Sequence, residues 1–195
     1  MSDARTDNAV FAAALDLQAV CQEHGFPFCF IGGIAVERWA VPRFTEDADM
    51  TLLTRFEHDE AWAKVLLSRF AARRPDALAF AERTRVLLLR HENGVEMDVA
   101  LGALDFEERA IQRGSHWEAR DGSRLFTCSA DDLIVHKAFA SRDKDWLDVE
   151  SIVKIQEQHL NIPQIRAELA PLTELKEDSA IIPRLDRLFG KYGLQ

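Results

Sequence analysis

The stretch Ile31-Gly32-Gly33-Ile34-Ala35-Val36-Glu37-Arg38-Trp39-Ala40-Val41-Pro42-Arg43-Phe44-Thr45-Glu46-Asp47-Ala48-Asp49-Met50-Thr51-Leu52-Leu53 decides how this chain is read. Asp47, Asp49 and Thr51 alternate with Ala48, Met50 and Leu52. Period two predicts a half-buried strand that turns both carboxylates to one face. Like charges so close raise each other's pKa unless a cation lies between them. Mg²⁺ suits that place, because it is held by one or two carboxylates and completed by water and substrate phosphates. Upstream, Cys29 to Ile31 reads as a short strand and Ala35 to Ala40 as a short helix. Gly32 and Gly33 between them let the backbone approach a phosphate, with the helix N-terminal amides aimed at it. The stretch therefore reads as a phosphate cradle followed by a metal clasp. A plain strand-to-helix turn followed by a solvated acidic strand face accounts for the same residues.

Working outward, Val10, Ala13, Ala14, Leu17, Val20 and Cys21 recur at helical spacing, and His24-Gly25 stops that helix. Pro42 ends the short helix and leaves Arg43-Phe44-Thr45 as an extended lead into the aspartates, where Arg43 and Thr45 come within reach of a bound phosphate. His58 to Phe70 is an amphipathic helix. A hairpin follows: Val86 to Leu89, the turn Glu92-Asn93-Gly94, then Val95, Met97, Val99 and Leu101 alternating with Glu96, Asp98 and Ala100. Asp98 leaves the face opposite the apolar row. If its strand neighbours the Asp47 strand, three aspartates converge, and Asp98 completes the metal site or takes the proton of an attacking hydroxyl. Glu96 shares that face and competes for the role, and a surface strand carboxylate is the plainer reading of either.

Further on, Asp105 to Arg113 is expected to be helical, and Gly114 to Cys128 a polar loop and strand with a turn at Asp121-Gly122. Ser129 opens a helix with Asp132 as a capping partner, burying Ile134, Val135, Ala138 and Phe139 and leaving His136 and Lys137 to face elsewhere. Lys137 either reaches a triphosphate or snorkels from the helix surface. Trp146 to Gln158 forms a further helix, and Asp145 and Asp148 sit at its N-terminal end, where its dipole favours negative charge. Two more helices lie around Gln164 to Leu169 and Pro183 to Phe189, separated by Pro171.

At 195 residues with 47% hydrophobic content, the chain is one domain, or one domain with an appendage, able to bury an ordinary core. No apolar run approaches the roughly 20 residues of a membrane span. The start Met1-Ser2-Asp3-Ala4-Arg5-Thr6-Asp7 lacks a secretory signal's basic and apolar regions, so a cytoplasmic location is expected. Cys21, Cys29 and Cys128 have neither disulfide nor zinc spacing and are expected as buried thiols. The net charge of −9 argues against a generally basic nucleic-acid surface. Arg69, Arg73, Arg74 and Arg83 remain candidates for a local basic stripe, or for ordinary solvated residues.

Gly32-Gly33, Arg43-x-Thr45-x-Asp47-x-Asp49 and the later strand residue Asp98 resemble the signature of the nucleotidyltransferase superfamily related to DNA polymerase beta. Ser129-x-Asp131-Asp132-Leu133-Ile134-Val135-His136-Lys137, with Arg142-x-Lys144-Asp145-x-x-Asp148-Val149, is similar to the second motif of the AbiEii-type abortive-infection toxins and their minimal nucleotidyltransferase relatives. The resemblance runs in order from about Phe28 to Ile155. It implies an α+β fold: a nucleotidyltransferase-like mixed β-sheet flanked by helices over residues 1–127, then a helical C-terminal part over 128–195. It further implies that Asp47 and Asp49 bind Mg²⁺ or Mn²⁺ gripping a nucleoside triphosphate, with Asp98 assisting the metal or activating the acceptor. Gly32, Gly33, Arg43, Thr45 and Lys137 would bind the nucleotide, and Asp145 and Asp148 match acidic positions of the helical motif. Ile34 stands where many relatives carry Ser or another small polar residue, which removes one phosphate contact.

The activity implied is transfer of a nucleoside monophosphate to an acceptor hydroxyl with release of pyrophosphate. A toxin-like reading makes the acceptor tRNA or a protein and adds an antitoxin partner; a resistance-like reading makes it a small hydroxylated compound. The competing expectations are an inactive member that binds nucleotide or a partner, and a metal-dependent phosphohydrolase.

Overall fold

The structure, a computed structural model, describes residues 3–194, with side chains from Ala9 onward; Met1, Ser2 and Gln195 at the ends of the sequence reading lie outside it. The chain forms two compact units, one taking residues up to Ile34 with Phe44–Cys128, the other Ala35–Arg43 with the chain from Ser129.

In the first unit, α1 (Asp3–Glu23) leads into β1 (Phe28–Phe30) and the opening turn of α2 (Gly32–Trp39). Then come β2 (Asp47–Leu53), α3 (Asp59–Arg69), β3 (Ala71–Ala72), α4 (Ala77–Thr84), β4 (Val86–Arg90), β5 (Glu96–Gly102), α5 (Asp105–Gln112), β6 (Ser115–Glu118) and β7 (Arg124–Thr127). The strands make one seven-stranded sheet in the order β3-β4-β5-β2-β1-β7-β6. It is mixed: β2 runs antiparallel to β1 but parallel to β5, and β1 runs parallel to β7.

The alternation read in the sequence sets which face of this sheet is dry. Ala48, Met50 and Leu52 of β2, Leu87 and Leu89 of β4, and Met97, Val99 and Leu101 of β5 are buried in one core with Phe28 and Phe30. The apolar stripe of α1 closes over that side: Val10, Ala13, Ala14, Leu17, Val20 and Cys21 are all buried, and α1 packs on β2 and β7. Each large side chain enclosed this way contributes roughly 1.5–3 kcal/mol. The intervening residues of β2 and β5 therefore leave the opposite face, where α5 packs on β2 and β1. The hairpin turn is built as expected, with Gly94 at φ +92° and Asn93 Oδ1 accepting from the Val95 amide at 3.0 Å.

The second unit is helical: after Ala35–Arg43 it contains α6 (Ala130–Ala140), α7 (Asp143–Gln156), α8 (Ile162–Lys176) and α9 (Ile181–Lys191). Ser129 caps α6, its Oγ accepting from the Asp132 amide at 3.1 Å. The Ala35–Arg43 segment is held here by the Val41 amide donating to Ser151 Oγ at 3.1 Å and by Gln156 Nε2 donating to the Trp39 carbonyl at 2.9 Å.

Three expectations need correction. Helix α2 begins at Gly32 rather than Ala35, because Gly32 at φ +56° turns the chain out of β1 within one residue. Pro171 does not separate two helices; α8 runs through it, with Leu169 and Leu172 buried on either side. The strand and the Asp121-Gly122 turn expected after α5 are present, but the loop before them is a second strand, so that β6 pairs with β7; the stretch between α3 and β4, for which the sequence offers no reading, holds β3 and α4. The three cysteines are buried thiols, as expected. Among the described residues no helix is long and apolar enough to cross a membrane.

Candidate active site

Strand register assembles the candidate site in the first unit. Asp49 of β2 is the direct partner of Asp98 of β5, and Asp47 is the partner of Glu96. Because β2 and β5 are parallel and in step, all four carboxylates leave the same sheet face. The glycine bend lies against this acidic patch. A Cβ at Gly32 would fall 1.8 Å from Asp49 Oδ2, and one at Gly33 would fall 2.1 Å from Thr45 Oγ1. The Ile31 amide also donates to the Asp49 carbonyl at 3.0 Å, so backbone bend and aspartate strand are joined directly. Thr45 Oγ1 lies 3.2 Å from Asp47 Oδ1 and 3.3 Å from the Asp47 carbonyl. Two residues beyond Asp49 on the same strand face, Thr51 Oγ1 is buried with no hydrogen-bond partner among the described residues.

Positive charge enters from the far edge of the sheet. The Arg73 amide donates to the Leu88 carbonyl at 3.1 Å, extending the β3–β4 ladder by one residue. Leu88 is in turn the partner of Asp98, so Arg73, Leu88, Asp98 and Asp49 form one row across four segments. Along that row the Arg73 guanidinium reaches Asp98 Oδ1 through Nη1 and Glu96 Oε2 through Nη2, the latter at 2.6 Å. Arg90 holds the other Glu96 oxygen at 3.0 Å. Burial raises the Asp98 pKa, and the charges of Asp47 and Glu96 add to the rise while Arg73 opposes it.

Three aspartates on one face beside a glycine cradle fit a divalent cation by donor chemistry, and Arg73 already places a cationic group on one of them. The expected convergence is one of face and register. Among the described residues no three acidic, His or Cys side chains are closed into a ready ligand set.

The other candidate residues fall in the second unit. Arg43 forks onto Asp148, Nε to Oδ1 at 2.7 Å and Nη2 to Oδ2 at 2.8 Å. Lys137 Nζ lies 2.8 Å from Asp148 Oδ2 and 3.3 Å from Asp145 Oδ1. This network is enclosed: Lys137 is 6% exposed, Asp145 0% and Asp148 4%. Lys137 therefore does not snorkel. Asp145 does cap α7, accepting from the Arg142 amide at 3.2 Å, yet it is also half of a buried ion pair. Burial by itself pushes both aspartates up, but the hydrogen bonds and charges of Arg142 and Lys137 on Asp145, and of Arg43 and Lys137 on Asp148, hold both below the usual carboxylate range. Beside Lys137 in α6, desolvation pushes the His136 imidazole down from 6.5 to about 4.

The suggested basic stripe is neutralised. Arg69 pairs with Glu23, Arg74 and Arg83 with Asp76, and Arg73 with the acidic strand. The sequence places Arg73 only in a basic stripe and Thr51 only in the strand alternation, and assigns neither a place at this site. Thr51 was legible as the third member of the Asp47, Asp49 alternation. Arg73 was not, because β3 is two residues long and carries no periodic signal.

No known protein family and no curated protein matches the sequence. Solved structures do match the fold. An antigenic nucleotidyltransferase-like protein from Paracoccidioides brasiliensis aligns with a TM-score of 0.54 at 16% identity, covering 91% of this chain and 94% of its own. The antibiotic-resistance factor ANT(2″)-Ia aligns in its solution structure with a TM-score of 0.52 at 17% identity, covering 93% of this chain and 98% of its own. Its crystal structure in complex with adenylyl-2″-tobramycin gives 0.52 and 17%, covering 85% and 98%. The chain thus has the fold of nucleotidyltransferase-like proteins: a central mixed sheet flanked by helices.

Proposed function

We propose that the chain is a nucleotidyltransferase that moves a nucleoside monophosphate from a triphosphate to an acceptor hydroxyl and releases pyrophosphate. The observation that carries this reading is the pairing of Asp49 with Asp98 in neighbouring parallel strands, with Gly32 pressed against the Asp49 carboxylate. Asp47 and Asp49 are the proposed ligands of Mg²⁺ or Mn²⁺, with Asp98 as third ligand or as base. The metal, when bound, supplies Lewis-acid stabilisation of charge on the transferring phosphoryl group. The chain's own part is to present a side-chain-free backbone at Gly32 and Gly33 for the phosphates, with the Thr45 hydroxyl beside them. Asp98, whose Oδ1 pairs with Arg73, is the proposed acceptor of the hydroxyl proton when it acts as base. Arg43 and Lys137, the other nucleotide contacts that the resemblance implies, are both paired with Asp148.

For the acceptor we favour a small hydroxylated compound. The carboxylate pairing of the candidate arginine stripe and the net charge of −9 both weigh against an RNA backbone. The fold likeness to ANT(2″)-Ia, solved with adenylyl-2″-tobramycin, points the same way. An AbiEii-like toxin paired with an antitoxin would instead label RNA or protein.

The deciding experiment incubates the protein with each α-labelled NTP and Mg²⁺ or Mn²⁺, against both a panel of hydroxylated small molecules and a total cell extract. Label on a small molecule with stoichiometric pyrophosphate, lost in Asp49→Asn, is the expected result. Label on RNA or protein moves the chain to the toxin reading. Release of orthophosphate without any acceptor, or an Asp49→Asn variant as active as the parent, overturns nucleotidyl transfer.

A further inference from the structure

Arg73 is an unusual neighbour for a cation site, since a fixed positive group beside Asp98 repels any ion that Asp98 would help to hold. Its placement is structural rather than incidental: the backbone is tied to β4 by the amide bond to Leu88, and the side chain is only 21% exposed. Its two terminal nitrogens are divided between Asp98 and Glu96, whereas the Arg90 side chain, from β4, pairs among the described residues with Glu96 and not with Asp98. Four carboxylates on one face repel one another, and Arg73 relieves that repulsion at the Asp98 end.

We infer that Arg73 is a built-in counter-cation that competes with the divalent metal for Asp98, and so sets the metal affinity of the carboxylate face. This rests on the proposed catalytic role of Asp47, Asp49 and Asp98. Arg73 is a positioning residue, acting on the metal through Asp98 and on no substrate atom. To help hold a metal Asp98 would have to give up its contact with Arg73, and the guanidinium would keep Glu96 as its partner. Affinity for the free ion is lowered by that exchange.

The test is Mn²⁺ binding to the full chain, without nucleotide, by calorimetry and by the loss of free Mn²⁺ resonance signal. Arg73→Gln and Arg73→Met are both made, the second keeping the apolar stem, and circular dichroism verifies their fold. The expected result is about tenfold tighter Mn²⁺ binding in either variant, the size of one like charge removed at close range. Arg73→Lys should bind about as the parent does, and Arg90→Gln, which releases only Glu96, should gain less. If Arg73→Gln and Arg73→Met bind no tighter while Asp49→Asn abolishes binding, the metal site stands and the competition is wrong. If neither the parent nor the Arg73 variants bind Mn²⁺, the inference and the proposed function fall together. If both uncharged variants fail to fold, Arg73 is a structural cation and the inference fails.

Discussion

Gly32 lies so close to Asp49 that a methyl group in place of its hydrogen would fall 1.8 Å from the Asp49 carboxylate. Gly32→Ala therefore meets two penalties, a left-handed backbone at φ +56° and displacement of Asp49. Gly25 supplies the control, since it is also left-handed, at φ +66°, but has nothing within 4 Å of its would-be Cβ. Gly25→Ala should lose roughly 1 kcal/mol in urea unfolding with activity intact. Gly32→Ala should lose more than that and about 100-fold or more in transfer rate. Equal rates in the two variants would mean that the bend does not position Asp49.

Lys137, Asp145 and Asp148 form a buried charge network, and removing one member strands another. Asp148→Leu should destabilise by about 3 kcal/mol, because Lys137 is left with the more distant of its two carboxylates. The double change Asp148→Leu with Lys137→Met should recover much of the loss, since Arg142 still holds Asp145 and the partly exposed Arg43 can hydrate. A double variant no more stable than the sum of the singles, by chemical denaturation, would show that the pair is not energetically coupled.

His136 makes the fold acid-sensitive in a definite window. The unfolded chain takes the imidazole proton near pH 6.5 and the folded one only near pH 4, so stability falls as pH drops between these values. The parent should lose on the order of 3 kcal/mol across that range beyond what His136→Gln loses. Asp145 and Asp148 act lower down. Their folded pKa values are depressed, so their contribution is intact above the ordinary carboxylate range and disappears only as pH falls through those depressed values. Denaturant midpoints measured from pH 7 to 3 separate the two windows.

Pro171 sits on an exposed position inside α8, where it cannot donate to the carbonyl one turn earlier. Pro171→Ala should raise stability by about 1–3 kcal/mol, tempered by the greater freedom of the unfolded chain. An unchanged melting temperature would show that the turn has already adapted to the proline.

Much of this architecture was readable from hydrophobic alternation. The Ala48-Met50-Leu52 and Met97-Val99-Leu101 rows identify two strands with one buried face each, and both aspartate positions follow from them. What the alternation cannot give is order across the sheet, so the step-for-step pairing of Asp49 with Asp98 emerged only from the fold. The Arg73 contact was invisible because β3, only two residues long, gives no sign that the chain returns beside β4. Asp145 and Asp148 were misleading in another way. A helix N-terminus explains their charge adequately, so nothing in the sequence demanded the buried lysine that pairs with them. Pro171 illustrates tertiary override: Leu169 and Leu172 are buried on either side of a residue that local preference would make a break.

The step-for-step pairing of β2 with β5 also polices the folding of the chain. If β5 slid by a single residue, Asp98 and Glu96 would be driven into the apolar layer and Met97 and Val99 thrust out of it. A molecule with a misaligned carboxylate face would thus be unable to complete its interior. Damaged chemistry and failed folding would then arrive together, as one event.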